Sequence, residues 1–181
     1  MSFLLHRRRA ALAVAALVAP FVTRAQTSPL GGAAALEAKA PPLPAVGTPL
    51  ALPASIERLD GSRFDAREAD GRVLVLYWWA SWCPFCAETT PHVEALWRAH
   101  KARGLQLLAL SIDSQVQPAR DYLARRGYTL PAAWVTPAVQ RALPKPRGLP
   151  VTLVRGRDGR VLQAEAGQLF PEDVQALARH L

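Results

Sequence analysis

Val73 to Cys86, V-L-V-L-Y-W-W-A-S-W-C-P-F-C, is the stretch whose reading decides the fold. Its first seven residues are apolar or aromatic without a break. A strand with one wet face would alternate, so this run reads as a central strand buried on both sides. Two cysteines follow at once, Cys83 and Cys86, and the chain has no others. Beyond them the period changes. Val93, Leu96 and Trp97 recur at i, i+3 and i+4, which predicts a helix from Cys86 to Arg103 stopped at Gly104. The cysteines therefore lie at a strand-to-helix corner.

Working outward, Leu105 to Ile112 reads as a second buried strand and Gln117 to Arg126 as a second helix, closed by Gly127. Ile56 to Leu59 and Arg63 to Asp65 flank Asp60-Gly61, a strong hairpin signal. Pro137 to Leu143 reads as a short helix with Pro at its start. Val151 to Arg155 and Val161 to Ala166 flank Gly156-Arg157-Asp158-Gly159 and predict a second hairpin, followed by a helix over Pro171 to His180. Hairpin, βαβ unit, helix, hairpin and helix give an α/β fold: a central mixed β-sheet flanked by helices, with an added N-terminal β-hairpin.

The N-terminal part has a different character. Basic residues from His6 to Arg9 precede ten apolar ones, Ala10 to Ala19, and a small-residue site at Thr23-Arg24-Ala25, the layout of an export signal over residues 1–25. An ordinary spanning helix needs about 20 apolar residues, so this run fits a cleaved leader better than an anchor. Residues 26–49 are rich in Pro and Ala and read as a linker, leaving 50–181 for the domain. The formal charge is +8, and the leader carries Arg7, Arg8, Arg9 and Arg24 with no acid, so the remainder keeps 8 − 4 = +4. That small surplus is interleaved with acids and gives no footprint for nucleic acid.

A pair of cysteines three apart closes too small a ring to stabilise a fold by loop closure. Its value lies in making and breaking the bond. Structural zinc needs four ligands, and the four histidines supply no second pair at ligand spacing, so neither a metal nor a cofactor is expected. The first turn of a helix offers free N–H groups and about half a positive charge, which stabilise a thiolate. Cys83, presented at the turn, reads as the nucleophile. Cys86, one turn inward, reads as the resolving thiol that attacks the mixed disulfide. Trp82, Pro84 and Phe85 beside the pair are candidate contacts for a partner. Glu88 is a candidate proton relay, although a solvated helix face suits it better.

Tyr77 to Pro91 (Y-W-W-A-S-W-C-P-F-C-A-E-T-T-P) resembles the active-site segment of the thioredoxin superfamily, with a Trp before the first Cys and a Pro five residues after the second. Gly148 to Thr152 resembles its second signature, a cis-proline loop leading into a strand. The resemblance implies that Pro150 is cis and faces the cysteines, and that the Leu149 backbone pairs with an extended substrate segment. The layout over roughly residues 46 to 181 is most similar to the TlpA/ResA-like branch of exported thiol–disulfide reductases. It implies exchange with protein thiols and disulfides in the periplasm, apocytochromes c among them, and a membrane or periplasmic redox partner that resets the pair.

Three features depart from that pattern. Tyr77 stands where thioredoxins bury an acid that takes the proton of the second Cys. Thr89 stands where the branch often has an acid, and Glu88, one residue away, points roughly 100° elsewhere on a helix. Pro84-Phe85 resembles the C-P-x-C of oxidising relatives. A disulfide-donating oxidase is therefore the competing reading, with a Cu(I) carrier and a thiol peroxidase behind it. Met1 is the only methionine, which disfavours the copper carrier, and Ala80 occupies the peroxidase Thr position.

Overall fold

The computed structural model describes residues 39–181. The expected leader at 1–25, and the linker up to residue 38, lie outside the described residues. Strand β1 (Ser55–Glu57) pairs antiparallel with β2 (Arg63–Asp65) as the expected hairpin. The main sheet contains β3 (Leu74–Trp79), β4 (Gln106–Ser111), β5 (Ala132–Trp134), β6 (Val151–Arg155) and β7 (Val161–Ala166), in the order β5-β4-β3-β6-β7. Helices α1 (Pro84–His100), α2 (Val116–Arg126), α3 (Pro137–Ala142) and α4 (Pro171–Ala176) connect or follow these strands. The sheet is mixed: β3 runs parallel to β4 and antiparallel to β6. Among the described residues no helix is long and apolar enough to cross a membrane.

All six residues of β3 are buried, because the strand is central and covered on both faces. Alternation sorts them. Val75, Tyr77 and Trp79 join α1, α2 and α4 in one cluster, which also holds Cys83 and Cys86. Leu74, Leu76 and Trp78 face the other way, toward the N-terminal hairpin and α3. Each large side chain so enclosed is worth about 1.5–3 kcal/mol of burial, so the strand that leads to the cysteines is firmly anchored in the core. On the far side of the sheet, residues 47–50 are stitched down as well: Gly47 N donates to Val161 O and Leu50 N to Gly159 O, at 2.8 and 2.9 Å.

Two features differ from the sequence reading. Strand β5 was not expected, since Ala132-Ala133-Trp134 is short and weak in β propensity. It forms because β4 offers an open parallel edge, pairing Ala109 with Ala132 and Ser111 with Trp134. Its outer side is partly covered by the N-terminal hairpin, through an Arg58–Ala133 bridge and a 2.7 Å bond from Leu59 N to Ala132 O. The expected last helix is α-helical only to Ala176, and Leu177–His180 tightens into a 3-10 turn.

Helix α1 is fixed to the sheet by Glu94. Its buried carboxylate accepts from Thr129 N (3.0 Å), Thr129 Oγ1 (2.8 Å), Leu130 N (2.7 Å) and Arg98 Nε (2.6 Å). Burial alone would raise its pKa, but the Thr129, Arg98 and Leu130 bonds outweigh that and hold it below the usual carboxylate value. A folded-state pKa below the unfolded one gives stability that is present above the ordinary carboxylate range and lost as pH falls through the folded value. Glu94→Gln should cost about 2 kcal/mol in urea unfolding at pH 7, because charge-assisted bonds to a buried acceptor are weakened. The difference from wild type should shrink on acidification below pH ~4.

Candidate active site

The loop from β3 to α1 places both sulfurs. Cys83 is the N-cap of α1, and its Sγ accepts the backbone N–H of Cys86 at 3.2 Å. Pro84 opens the helix, where its missing N–H costs nothing. The helix thus begins on a sulfur where other helices use an oxygen, and a capping sulfur is better as an anion. A hydrogen bond from the Cys86 thiol leads in lowering Cys83's pKa, with help from the backbone N–H groups of Cys86 and Phe85, and burial opposes them. The net value is about 7. Cys86 goes the other way: burial, then the bond to Cys83 and the charge on it, push its thiol far up. Both cysteines are free. One sulfur is ionised near neutrality and its neighbour is a proton donor.

The expectation that Cys83 stands outside is corrected. It is 5% exposed against 1% for Cys86, so both sit in the core cluster and differ in polarity more than in depth. What is exposed is the rim: Trp82 is 43% and Phe85 55% open to solvent, and Pro84 is exposed too. These exposed apolar side chains flank Cys83 in the chain.

The Leu149–Pro150 bond is cis. Val151 pairs with Trp78 across the β3–β6 ladder, so one further step sets Pro150 level with Trp79, at the end of the sheet from which the cysteines project. Leu149 packs against the cluster that contains both cysteines. Gly148 is needed at φ +105°, and a Cβ there would meet Ala166 Cβ at 2.7 Å. The two sequence signatures therefore converge on one edge. Glu88 does not join them. It lies on the exposed face of α1, while Thr89 is fully buried in the position next to it.

Tyr77 fills the space where an acid was considered. Its hydroxyl donates to Thr90 Oγ1 at 3.0 Å, and that hydroxyl donates to the Cys86 carbonyl at 2.6 Å. Burial, followed by the neighbouring cysteines, raises the Tyr77 pKa well above its ordinary value. A phenol held neutral this way braces the first turn of α1 and takes no proton from Cys86.

Sequence reasoning missed Asp113. It is 4% exposed, yet its carboxylate accepts from Ser81 Oγ and Ser111 Oγ, both at 2.7 Å, and from Ser81 N at 3.1 Å. The residue follows a strand with no motif around it, and only the pairing of Trp79 with Ser111 brings it opposite Ser81. Among the described residues no group of three or more His, Cys, Asp or Glu is placed to hold a metal ion.

Such an arrangement can form and break one disulfide with an incoming sulfur. Because Tyr77 acts only as a brace, Tyr77→Phe should keep disulfide-reducing activity within about twofold while losing about 1 kcal/mol of stability, the usual worth of a hydrogen bond. Insulin turbidity and thermal melting measure the two.

Comparison with known proteins agrees with this geometry. The AhpC/TSA family profile matches residues 46–162. The thiol-disulfide oxidoreductase ResA of Halalkalibacterium halodurans is 23% identical over 125 residues, 66% of this chain and 68% of that one. A crystal structure of a putative thiol:disulfide interchange protein DsbE from Chlorobium tepidum superposes with TM-score 0.63 at 26% identity, covering 75% of this chain and 94% of that one. A secreted Mycobacterium tuberculosis disulfide oxidoreductase homologous to E. coli DsbE gives TM-score 0.60 at 17% identity, over 70% and 95% of the two chains. This chain belongs to the AhpC/TSA family, as a thioredoxin-like thiol–disulfide oxidoreductase with one CxxC pair and distant ResA- and DsbE-type homologues.

Proposed function

We propose that the protein is an exported reductase that delivers electrons to disulfides of other exported proteins in the periplasm. The observation that carries the reading is the asymmetry of the pair: a capping sulfur with a pKa of about 7 beside a buried sulfur held protonated. The Cys83 thiolate attacks one sulfur of a substrate disulfide, and the other substrate sulfur leaves as a thiolate. Cys86 then loses its proton to solvent and attacks Cys83 Sγ. The mixed disulfide breaks, the substrate departs as a dithiol, and the Cys83–Cys86 disulfide remains. A membrane or periplasmic redox partner must return two electrons before the next cycle.

Several features support the details. Trp82, Pro84 and Phe85 form an apolar landing surface around a sulfur with little exposure of its own, so an unfolded or extended segment suits it better than a compact one. Leu149, next to the cis-proline, offers backbone to such a segment. Apocytochromes c, which present cysteines in unfolded chain, fit this class of substrate. The basic-then-apolar start of the chain supports export, with the leader removed.

A second reading, an oxidase that donates the disulfide, draws on the same lowered pKa, because a stabilised thiolate makes the oxidised form a stronger oxidant. The midpoint potential separates the two. A reductase should lie nearer about −270 mV, and an oxidase nearer about −120 mV. The purified domain should reduce insulin with dithiothreitol. Cys83→Ser should abolish this, and Cys86→Ser should accumulate mixed disulfides visible by mass spectrometry. Full activity in Cys83→Ser, or a midpoint near the oxidising value, overturns the reductase assignment.

A further inference from the structure

Residues 143–150 join α3 to β6 without helix or strand, so their backbone groups need partners from elsewhere. Pro144, Pro146 and Pro150 have no N–H to offer. Four other groups of the loop are engaged. Arg147 N donates to Pro41 O at 2.7 Å, and Pro150 O accepts from Gly167 N at 2.8 Å. The carbonyls of Pro146 and Gly148 both converge on Lys145 Nζ, at 2.7 and 2.6 Å. Lys145 is 4% exposed, so its ammonium belongs to the interior of the loop and is no surface charge. Burying an ammonium is costly unless it is hydrogen-bonded, and lysine is almost never enclosed without such bonds. At Leu149, which is half-buried, the pattern stops. Among the described residues neither its N–H nor its C=O has a hydrogen-bond partner.

We propose that Lys145 is a positioning residue for substrate, whose buried ammonium holds the Gly148–Leu149 peptide so that the Leu149 N–H is presented to the extended segment carrying the substrate disulfide. This rests on the reading in which the Leu149 backbone pairs with such a segment.

The orientation follows from peptide geometry. The Gly148–Leu149 bond is trans, so its C=O and N–H point in opposite directions across one rigid plane. Gly148 O is drawn onto Lys145 Nζ at 2.6 Å, and the Leu149 N–H is therefore turned away from the ammonium. Gly148 gives that plane no steric support of its own, having no side chain and a φ of +105°. Pro146 O on the same ammonium closes the loop around it. Beyond Leu149 the chain is set by β6, where Val151 pairs with Trp78, and the Leu149 side chain packs against the cluster that holds Cys83. A backbone N–H and C=O left open beside a reactive sulfur's cluster suit an extended chain, because main-chain bonds give affinity whatever the side chains. Lys145 acts on where the partner's backbone rests and leaves the sulfur chemistry unchanged.

The test compares two disulfides in a reduced Cys86→Ala parent, where exchange stops after one step. One is Ellman's reagent, which has no backbone. The other is an unstructured Gly/Ser-rich peptide whose single cysteine is blocked by thionitrobenzoate. In each case the Cys83 thiolate attacks the disulfide, one thionitrobenzoate anion leaves, and a Cys83 mixed disulfide forms. Dividing each rate by that of mercaptoethanol with the same disulfide removes intrinsic reactivity, and the peptide-to-reagent quotient then reads what backbone adds. The parent should favour the peptide. Lys145→Met should lower the quotient about fivefold, the effect of one misplaced hydrogen bond, with the Ellman rate kept within about twofold. The loss should appear in the half-saturating peptide concentration and not in the limiting rate. Lys145→Arg keeps the donors and should retain more of the quotient than the Met variant. If Lys145→Met does not fold, Lys145→Gln, too short to span both carbonyls, takes its place. An unchanged quotient in the neutral variants overturns the proposal. So does an equal fall in both rates, which would make Lys145 a support of the fold alone. A parent that does not favour the peptide instead removes backbone docking at Leu149, the reading beneath the proposal, and the proposal with it.

Discussion

A helix leaves the N–H groups of its first turn without partners, and in this protein one of those partners is a sulfur. The 3.2 Å bond from Cys86 N to Cys83 Sγ is the constraint on which the other parts of the site depend. It fixes where α1 begins and sets the first sulfur at the positive end of the helix. It also leaves the second sulfur within the first turn, where burial keeps it protonated. The chemistry and the local fold are the same contact viewed from two sides. An oxygen at that position would cap the helix equally well and exchange nothing.

Precision at that contact is supplied by the surrounding structure. Strand β3 is buried on both faces and paired on both edges, so the turn leaving it starts from a fixed point. Asp113 holds that turn from the β4 side through Ser81, and Tyr77 with Thr90 braces the first turn of α1 from beneath. Glu94 ties the same helix to the loop before β5. Strand β6 brings Leu149 and Pro150 to the same edge of the sheet. Four elements distant in sequence thus define the surroundings of two atoms.

Much of this was legible from the sequence. The unbroken apolar run at 73–79 announces a central strand, and β6 and β7 match their expected bounds because Gly156 to Gly159 punctuates them. The Leu149–Pro150 loop followed from family resemblance and not from propensity. What sequence could not provide was tertiary. Strand β5 exists because β4 has an edge to fill, which no three-residue window records. Cys83 lies under cover because it belongs to the core cluster beneath α1, and no local pattern encodes that. Asp113 would require knowing that Trp79 stands opposite Ser111, and register between parallel strands is not written in either strand alone.

The central claim is that one sulfur of the pair is an anion near neutral pH because the Cys86 thiol, and then the N–H groups at the start of a helix, donate to it. The most direct measurement is the pH dependence of Cys83 alkylation by iodoacetamide in the reduced Cys86→Ala domain and in wild type. The account predicts a single titration near pH 7 in wild type, moved upward when Cys86 no longer donates its thiol bond, since that bond leads in lowering the value. A wild-type titration at or above the ordinary thiol range of about 8.5 would contradict it.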